Sequence, residues 1–252
     1  MSRLDNLDEM STQQVGTGSF GFTATNLDVL GATEYTLVGL AVDASSSVYE
    51  FESDLNSAIG AIVESCVHSP RCDNLMLRLS QFSSNLQEIH GFKMLSSCNP
   101  GDYNGILDVR GATALNDAVV DMCDSMSNYG SSLTKQDFDV NGILFVVTDG
   151  DENNSSHGLE SAKKAIQDIR RNESLESLIT ILLGVNIDST YVKQKLDDYH
   201  QQIGFDQFIS VGDASPKTLA KLAEFVSKSI SSQSQALGTG GPSQAIPTSL
   251  GI

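Results

Sequence analysis

Positive charge is scarce in this chain, with 15 Lys and Arg against 32 Asp and Glu and a formal charge of −17 at pH 7. Nothing resembles a basic stripe for neutralising phosphates, so duplex DNA and anionic membranes are excluded as natural partners, while cations and basic protein surfaces suit it. The acids are dispersed and form no acidic tail. Long apolar runs are missing too. No segment approaches the roughly 20 residues that span a bilayer. The opening Met-Ser-Arg-Leu-Asp-Asn-Leu-Asp-Glu carries no apolar stretch of the secretory kind after its Arg. A cytoplasmic setting, or incorporation in a phage particle, is therefore expected.

Nitrogen and sulfur ligands are few. Cys66, Cys72, Cys98 and Cys123 lack the paired close spacing of a zinc site, and 252 residues can bury a core without disulfide staples, so they read as reduced, mostly buried thiols. His68, His90, His157 and His200 have no metal-ligand spacing and read as surface or structural. In a reducing compartment the sequons at Asn153, Asn154 and Asn172 carry no glycan. P-loops, nucleophile elbows and triad-like arrangements are also missing. Gly16-Thr17-Gly18-Ser19-Phe20-Gly21 matches the dinucleotide pattern, but no apolar strand leads into it and no helical pattern follows.

What is present is a regular alternation of strands and helices. Residues 1–34 read as an N-terminal arm, ordered in part at most, and 35–230 as one domain. Residues 231–252, rich in Ser, Gln, Gly and Pro, read as a tail. The near-continuous apolar run Thr36–Val42 predicts a strand buried on both faces. Val48–Val67 repeats apolar residues at helical spacing. Leu75–Phe82 and Leu86–Met94, joined by Ser83-Ser84-Asn85, predict an antiparallel hairpin. Further strands are predicted at Ile143–Val147, Leu178–Val185 and Phe208–Val211. Helices are predicted at Leu115–Met126, Leu159–Ile169, Thr190–Ile203 and Lys217–Ile230. The pattern implies a doubly wound, Rossmann-like α/β fold: a mostly parallel central sheet, one antiparallel edge strand, and helices on both faces.

The chemistry gathers at predicted strand ends. Asp43-Ala-Ser45-Ser-Ser47 follows the first buried strand, and alternate side chains of an extended segment point the same way. A second strand ends in Thr148-Asp149-Gly150, and the loop Gly111-Ala112-Thr113 leads into a helix. Ligands sit at this edge of open α/β sheets. Asp43, Ser45, Ser47, Thr113 and Asp149 are all oxygen donors, which selects a hard cation: Mg²⁺, with Mn²⁺ tolerated and Ca²⁺ less suited.

This arrangement resembles the metal-ion-dependent adhesion site of von Willebrand factor A domains, whose motif is Asp-x-Ser-x-Ser, a loop Thr, and an Asp in a Thr-Asp-Gly turn. The resemblance spans Tyr35 to Ile230 and includes the succession of elements. It implies that the serines and, in a ligand-bound form, the threonine touch the metal directly, while the aspartates act largely through water. The cation would then keep an open position for an Asp or Glu carboxylate of a protein partner. Intracellular relatives of this kind work beside MoxR-type AAA ATPases or in virion and other multi-subunit assemblies, so the expectation is a non-catalytic interaction module.

Other readings compete. A structural particle component could use the metal as a contact staple. Asp149-x-Asp151 also resembles the nucleophile motif of haloacid dehalogenase-like phosphohydrolases, but Asn153 stands where that family has Thr or Val, and Asp197-Asp198 falls inside a helical pattern. The stretch from Asp149 to Glu160 resembles a calcium loop with Asn154 in place of the turn Gly. Asp117 reads as a first-turn helix acid.

Overall fold

In the computed structural model, which describes residues 9–14, 21–150 and 152–239, the centre of the molecule is the strand β3 (Glu34–Asp43). Its alternate residues feed two separate cores. Val38, Leu40 and Val42 face one, and Tyr35, Leu37 and Ala41 face the other. This is what a period-2 strand does when both sheet faces are covered.

Among the described residues the sheet has eight strands in the order β1-β2-β5-β4-β3-β6-β7-β8. They are β1 (Met10–Gln14), β2 (Gly21–Thr25), β4 (Leu75–Phe82), β5 (Leu86–Met94), β6 (Asp139–Thr148), β7 (Ser177–Gly184) and β8 (Gln207–Ser210), with β3 between β4 and β6. Strands β4, β3, β6, β7 and β8 run parallel, and β5 is antiparallel to β4. Helices α1 (Glu52–Val67) and α5 (Pro216–Thr239) supply the first core, and α2 (Leu115–Thr134), α3 (Leu159–Arg171) and α4 (Thr190–Ile203) the second. The mostly parallel α/β architecture is as the sequence implies. No helix of the described residues is long and apolar enough to cross a membrane.

Two segments differ from the sequence-based reading. No strand was expected before Tyr35, yet β2 pairs in parallel with β5, and β1 pairs antiparallel with β2. The antiparallel strand β5 is consequently interior. Phe22 and Ala24 are buried, and the Phe22 ring meets Phe92 edge-on at 6.0 Å. The Thr25 hydroxyl donates to the Phe92 carbonyl at 2.9 Å. A Cβ on Gly91 would lie 1.7 Å from the Thr23 carbonyl oxygen, so glycine there is what lets β2 approach. The rest of the dinucleotide-like match, Gly16–Phe20, lies outside the described residues.

At the other end, α5 continues nine residues past Ile230 to Thr239. Gln233 and Ser234 are buried by hydrogen bonding: the Gln233 carbonyl accepts from Asn141 Nδ2 at 3.1 Å, and Ser234 Oγ accepts from Arg71 Nε at 2.8 Å. The remainder of the expected tail, 240–252, lies outside the described residues.

One charge is buried in the sheet. Arg78, in the middle of β4, is 2% exposed. Its guanidinium donates to Glu88 Oε2 at 2.9 Å and Asp121 Oδ2 at 2.8 Å, and sits over the Phe22 ring at 5.8 Å. Glu88 Oε1 in turn accepts from the Thr23 amide and hydroxyl. The charge thus ties β2, β4, β5 and α2 together. Removing one partner of a buried ion pair strands the others, so Arg78→Ala is expected to cost about 3–5 kcal/mol. Urea unfolding measures it, and a loss below about 1 kcal/mol would show that the network is solvated.

Candidate metal centre

Strands β3 and β6 are parallel neighbours with Val42 opposite Val147. Asp43 therefore ends beside Thr148, and Asp149 leaves the sheet one residue later. The helix after β3, α1, covers one face, whereas the helix after β6, α3, covers the other. The chain thus diverges between these two strands, and such a divergence opens a crevice at the carboxyl edge of a doubly wound sheet.

Asp43 is 1% exposed. Its Oδ1 accepts from the Ser45 amide at 2.8 Å and its Oδ2 from the Thr148 hydroxyl at 2.7 Å. Ser45 Oγ lies 3.0 Å from Ser47 Oγ, and Ser47 Oγ donates to Asp149 Oδ1 at 2.8 Å. Asp43, Ser45, Ser47 and Asp149 form one continuous polar string that ends at the surface, because Ser47 is exposed.

Thr113 reaches the same place through its backbone. The Arg110 amide donates to Ala44 O at 2.8 Å and the Ser46 amide to Gly111 O at 3.1 Å. Gly111 has φ +77°, and a Cβ there would lie 2.5 Å from Ser84 Oγ, so the turn requires glycine. The Thr113 amide donates to Asn153 Oδ1 at 2.9 Å, and its carbonyl accepts from the Asn153 amide at 3.1 Å. The Thr113 side chain makes no hydrogen bond among the described residues, so its loop is placed at the site while its hydroxyl is uncommitted. Thr148 and Asn153 are the site residues that sequence reasoning gave no role. Thr148 was visible as the first residue of Thr-Asp-Gly, whereas the partner of Asn153 lies in a different loop.

Burial pushes the Asp43 carboxyl up from the ordinary 3.8 to about 6, against hydrogen bonds from Thr148 and Ser45, with the Asp149 charge adding to the rise. Burial also raises Asp149, opposed by its bond from Ser47. Both acids are penalised when ionised, and a bound cation is what relieves two such groups. Mg²⁺ fits this donor set of hydroxyls and carboxylates. No group of three or more His, Cys, Asp or Glu is disposed to hold a metal among the described residues.

The competing motifs have other employment. Asp117 accepts from the Ser156 and His157 amides at 2.9 and 2.8 Å. Asp197 and Asp198 lie within α4. Asp151, which both the phosphohydrolase and calcium-loop readings need, lies outside the described residues.

No family model matches the chain, and no curated protein matches it in sequence. Solved structures do. A D319A mutant of the PilB minor pilin from Streptococcus sanguinis aligns with TM-score 0.61 at 13% identity, over 87% of this chain and 66% of that one. The pilus adhesin SpaC from Lactobacillus rhamnosus GG aligns with TM-score 0.57 at 13% identity, over 84% and 32%. A von Willebrand factor type A protein from Catenulispora acidiphila aligns with TM-score 0.54 at 15% identity, over 83% and 45%. This chain therefore has the von Willebrand A-like α/β fold, and it spans less than two thirds of the length of each of these proteins.

The Asp43 shift fixes a pH dependence for the metal-free protein. The folded state holds that proton more tightly than the unfolded chain, so Asp43 costs nothing below about pH 4, and stability falls as pH rises through about 6. The span from 3.8 to about 6 corresponds to about 3 kcal/mol. Urea unfolding in chelator, near pH 4 and near pH 8, is expected to show a fall larger by about this amount in the wild type than in Asp43→Asn, where the raised Asp149 still contributes. Parallel profiles for the two proteins would contradict the assignment.

Proposed function

We propose that this domain binds one divalent cation, Mg²⁺ or Mn²⁺, through Asp43, Ser45, Ser47, Thr113 and Asp149, and uses it to capture an acidic side chain of a protein partner. The observation that carries the reading is the string from buried Asp43 through Ser45 and Ser47 to Asp149 at the carboxyl edge of the sheet, with both carboxyls raised. When bound, the cation supplies a positive centre with a coordination position open to a carboxylate.

The chain's own residues do the rest. Thr148 and the Ser45 amide fix the Asp43 carboxylate so that it cannot swing into solvent. Ser45, Ser47 and Thr113 offer neutral oxygens and leave the cation's charge for the partner. Exposed Ser47 marks the side from which a partner arrives. Asp149 accepts from the Ser47 hydroxyl at 2.8 Å, which keeps its carboxylate facing the serines of the proposed centre. A multi-subunit assembly is the setting we favour, since proteins of similar fold include a minor pilin and a pilus adhesin. In the structural variant of this reading, the same centre staples one contact of a particle.

Calorimetry on chelator-stripped protein is expected to show one Mg²⁺ site in the wild type and none in Asp43→Ala or Asp149→Ala. Saturating Mg²⁺ at about 100 times Kd should add about 2.7 kcal/mol of stability to the wild type alone. No saturable heat at millimolar Mg²⁺ would sink the proposal. Turnover of a phosphomonoester that vanishes in Asp149→Asn would favour the enzyme reading instead.

A further inference from the structure

Helix α2 begins at Leu115, immediately after Thr113 and Ala114, and it lacks a cap of its own because Ala114 has no side-chain acceptor. The first-turn amides are satisfied from another loop. Asn116 N donates to Glu152 Oε2 at 2.8 Å, and Asp117 N donates to Ser155 Oγ at 3.1 Å. Glu152 is itself fixed. Its Oε1 accepts from the Asn154 and Ser155 amides at 2.8 and 2.7 Å, and its Oε2 from the Ser155 hydroxyl at 2.6 Å. The contact is reciprocal, since Asp117 accepts from the amides of Ser156 and His157. The Asn116 side chain also donates to the His157 carbonyl at 3.2 Å.

This clasp joins the two loops that carry the candidate donors. One loop delivers Thr113 and then α2, and the other begins with Asp149. We propose that Glu152 and Ser155 are positioning residues that cap α2 across the gap and thereby lock the Thr113 and Asp149 halves of the centre into one rigid unit, so that cation affinity depends on the cap. The proposal rests on the metal reading above. Glu152 acts here through the helix start and is not a ligand, because both of its oxygens are already engaged by amide and hydroxyl donors. Groups that orient metal ligands from behind typically change affinity by about ten- to hundredfold when removed.

The experiment titrates Mg²⁺ by calorimetry into the full chain and its variants, and follows amide hydrogen exchange at Asn116 and Asp117. Glu152→Ala is expected to weaken Mg²⁺ binding about tenfold or more and to speed exchange at both amides in chelator, with Mg²⁺ slowing it again. Glu152→Gln, which keeps one acceptor oxygen, should recover most of the affinity. Ser155→Ala removes the Asp117 bond without touching Glu152's backbone bonds, and should show a smaller loss in the same direction if Glu152→Ala does not fold. Wild-type Mg²⁺ affinity in Glu152→Ala and Ser155→Ala, with faster exchange, makes the clasp merely structural and overturns the coupling alone. A wild type that takes up no Mg²⁺ overturns the metal reading itself.

Discussion

An ionisable carboxyl at the end of the central strand, with almost no contact with water, sets the terms for everything around it. Asp43 emerges between β4 and β6, where a free charge would be unaffordable without donors aimed at it. Thr148 from the neighbouring strand and the amide of Ser45 from the following turn supply them. Each of these bonds constrains a segment. The first fixes β6 to β3 at the level of its last residue, just before Asp149 departs. The second bends the chain so that Ser45 and Ser47 lie on one side. The loop carrying Thr113 then hydrogen-bonds to Ala44 and Ser46 through Arg110 and Gly111. The convergence of these three segments at one sheet edge is thus a consequence of solvating one buried acid with the protein's own groups.

Arg78 provides the contrast that gives this arrangement meaning. It is equally buried, yet two carboxylates reach it and its charged form is favoured. Its role is complete within the chain, as a joint between β2, β4, β5 and α2. Among the described residues Asp43 and Asp149 have hydroxyl and amide donors but no ion-pair partner, and both are held above their ordinary range. That difference is what supports the proposal that the Asp43 and Asp149 edge of the sheet takes a cation from outside.

The sequence made the parallel core readable because strands buried on both faces need nearly continuous apolar runs, as in Thr36–Val42 and Ile143–Val147, and amphipathic helices must repeat at helical spacing. That Asp43, Ser45, Ser47, Asp149 and the loop of Thr113 meet at one sheet edge was readable because three short motifs fell at predicted strand ends or helix starts. The parts that escaped depend on partners distant in sequence. Gly-Phe-Thr-Ala-Thr in β2 is too short and too polar to signal a strand, and it is held by Glu88, Phe92 and a glycine that makes room for it. The last turns of α5 look like a polar tail until Gln233 and Ser234 are seen bonded to Asn141 and Arg71. Asn153 reads in the sequence as a sequon and as a mismatch to another family, yet its side chain and amide hold both backbone groups of Thr113.

The segment after Asp149 shows why acid-rich stretches resist reading by composition. The stretch from Asp149 to Glu160 resembles a calcium loop through its acids at the first, third and twelfth positions, with Glu152, Asn153 and Asn154 between them. In the fold they spend their oxygens and amides on backbone: Glu152 on the start of α2 and on its own turn, Asn153 on Thr113, and Asn154 on Thr113 and the Ser84 carbonyl. An oxygen that already accepts two amide bonds is a poor ligand, because binding a cation would strand those donors in a partly buried loop. The uncommitted oxygens lie instead on the smaller, neutral side chains. The Thr113 hydroxyl has no hydrogen-bond partner among the described residues, and the serines are bonded to one another and to Asp149, an arrangement that a cation can replace without stranding backbone. In the proposed reading the chemistry therefore belongs to the hydroxyl string, and Glu152, Asn153 and Asn154 hold the loops beside it in place.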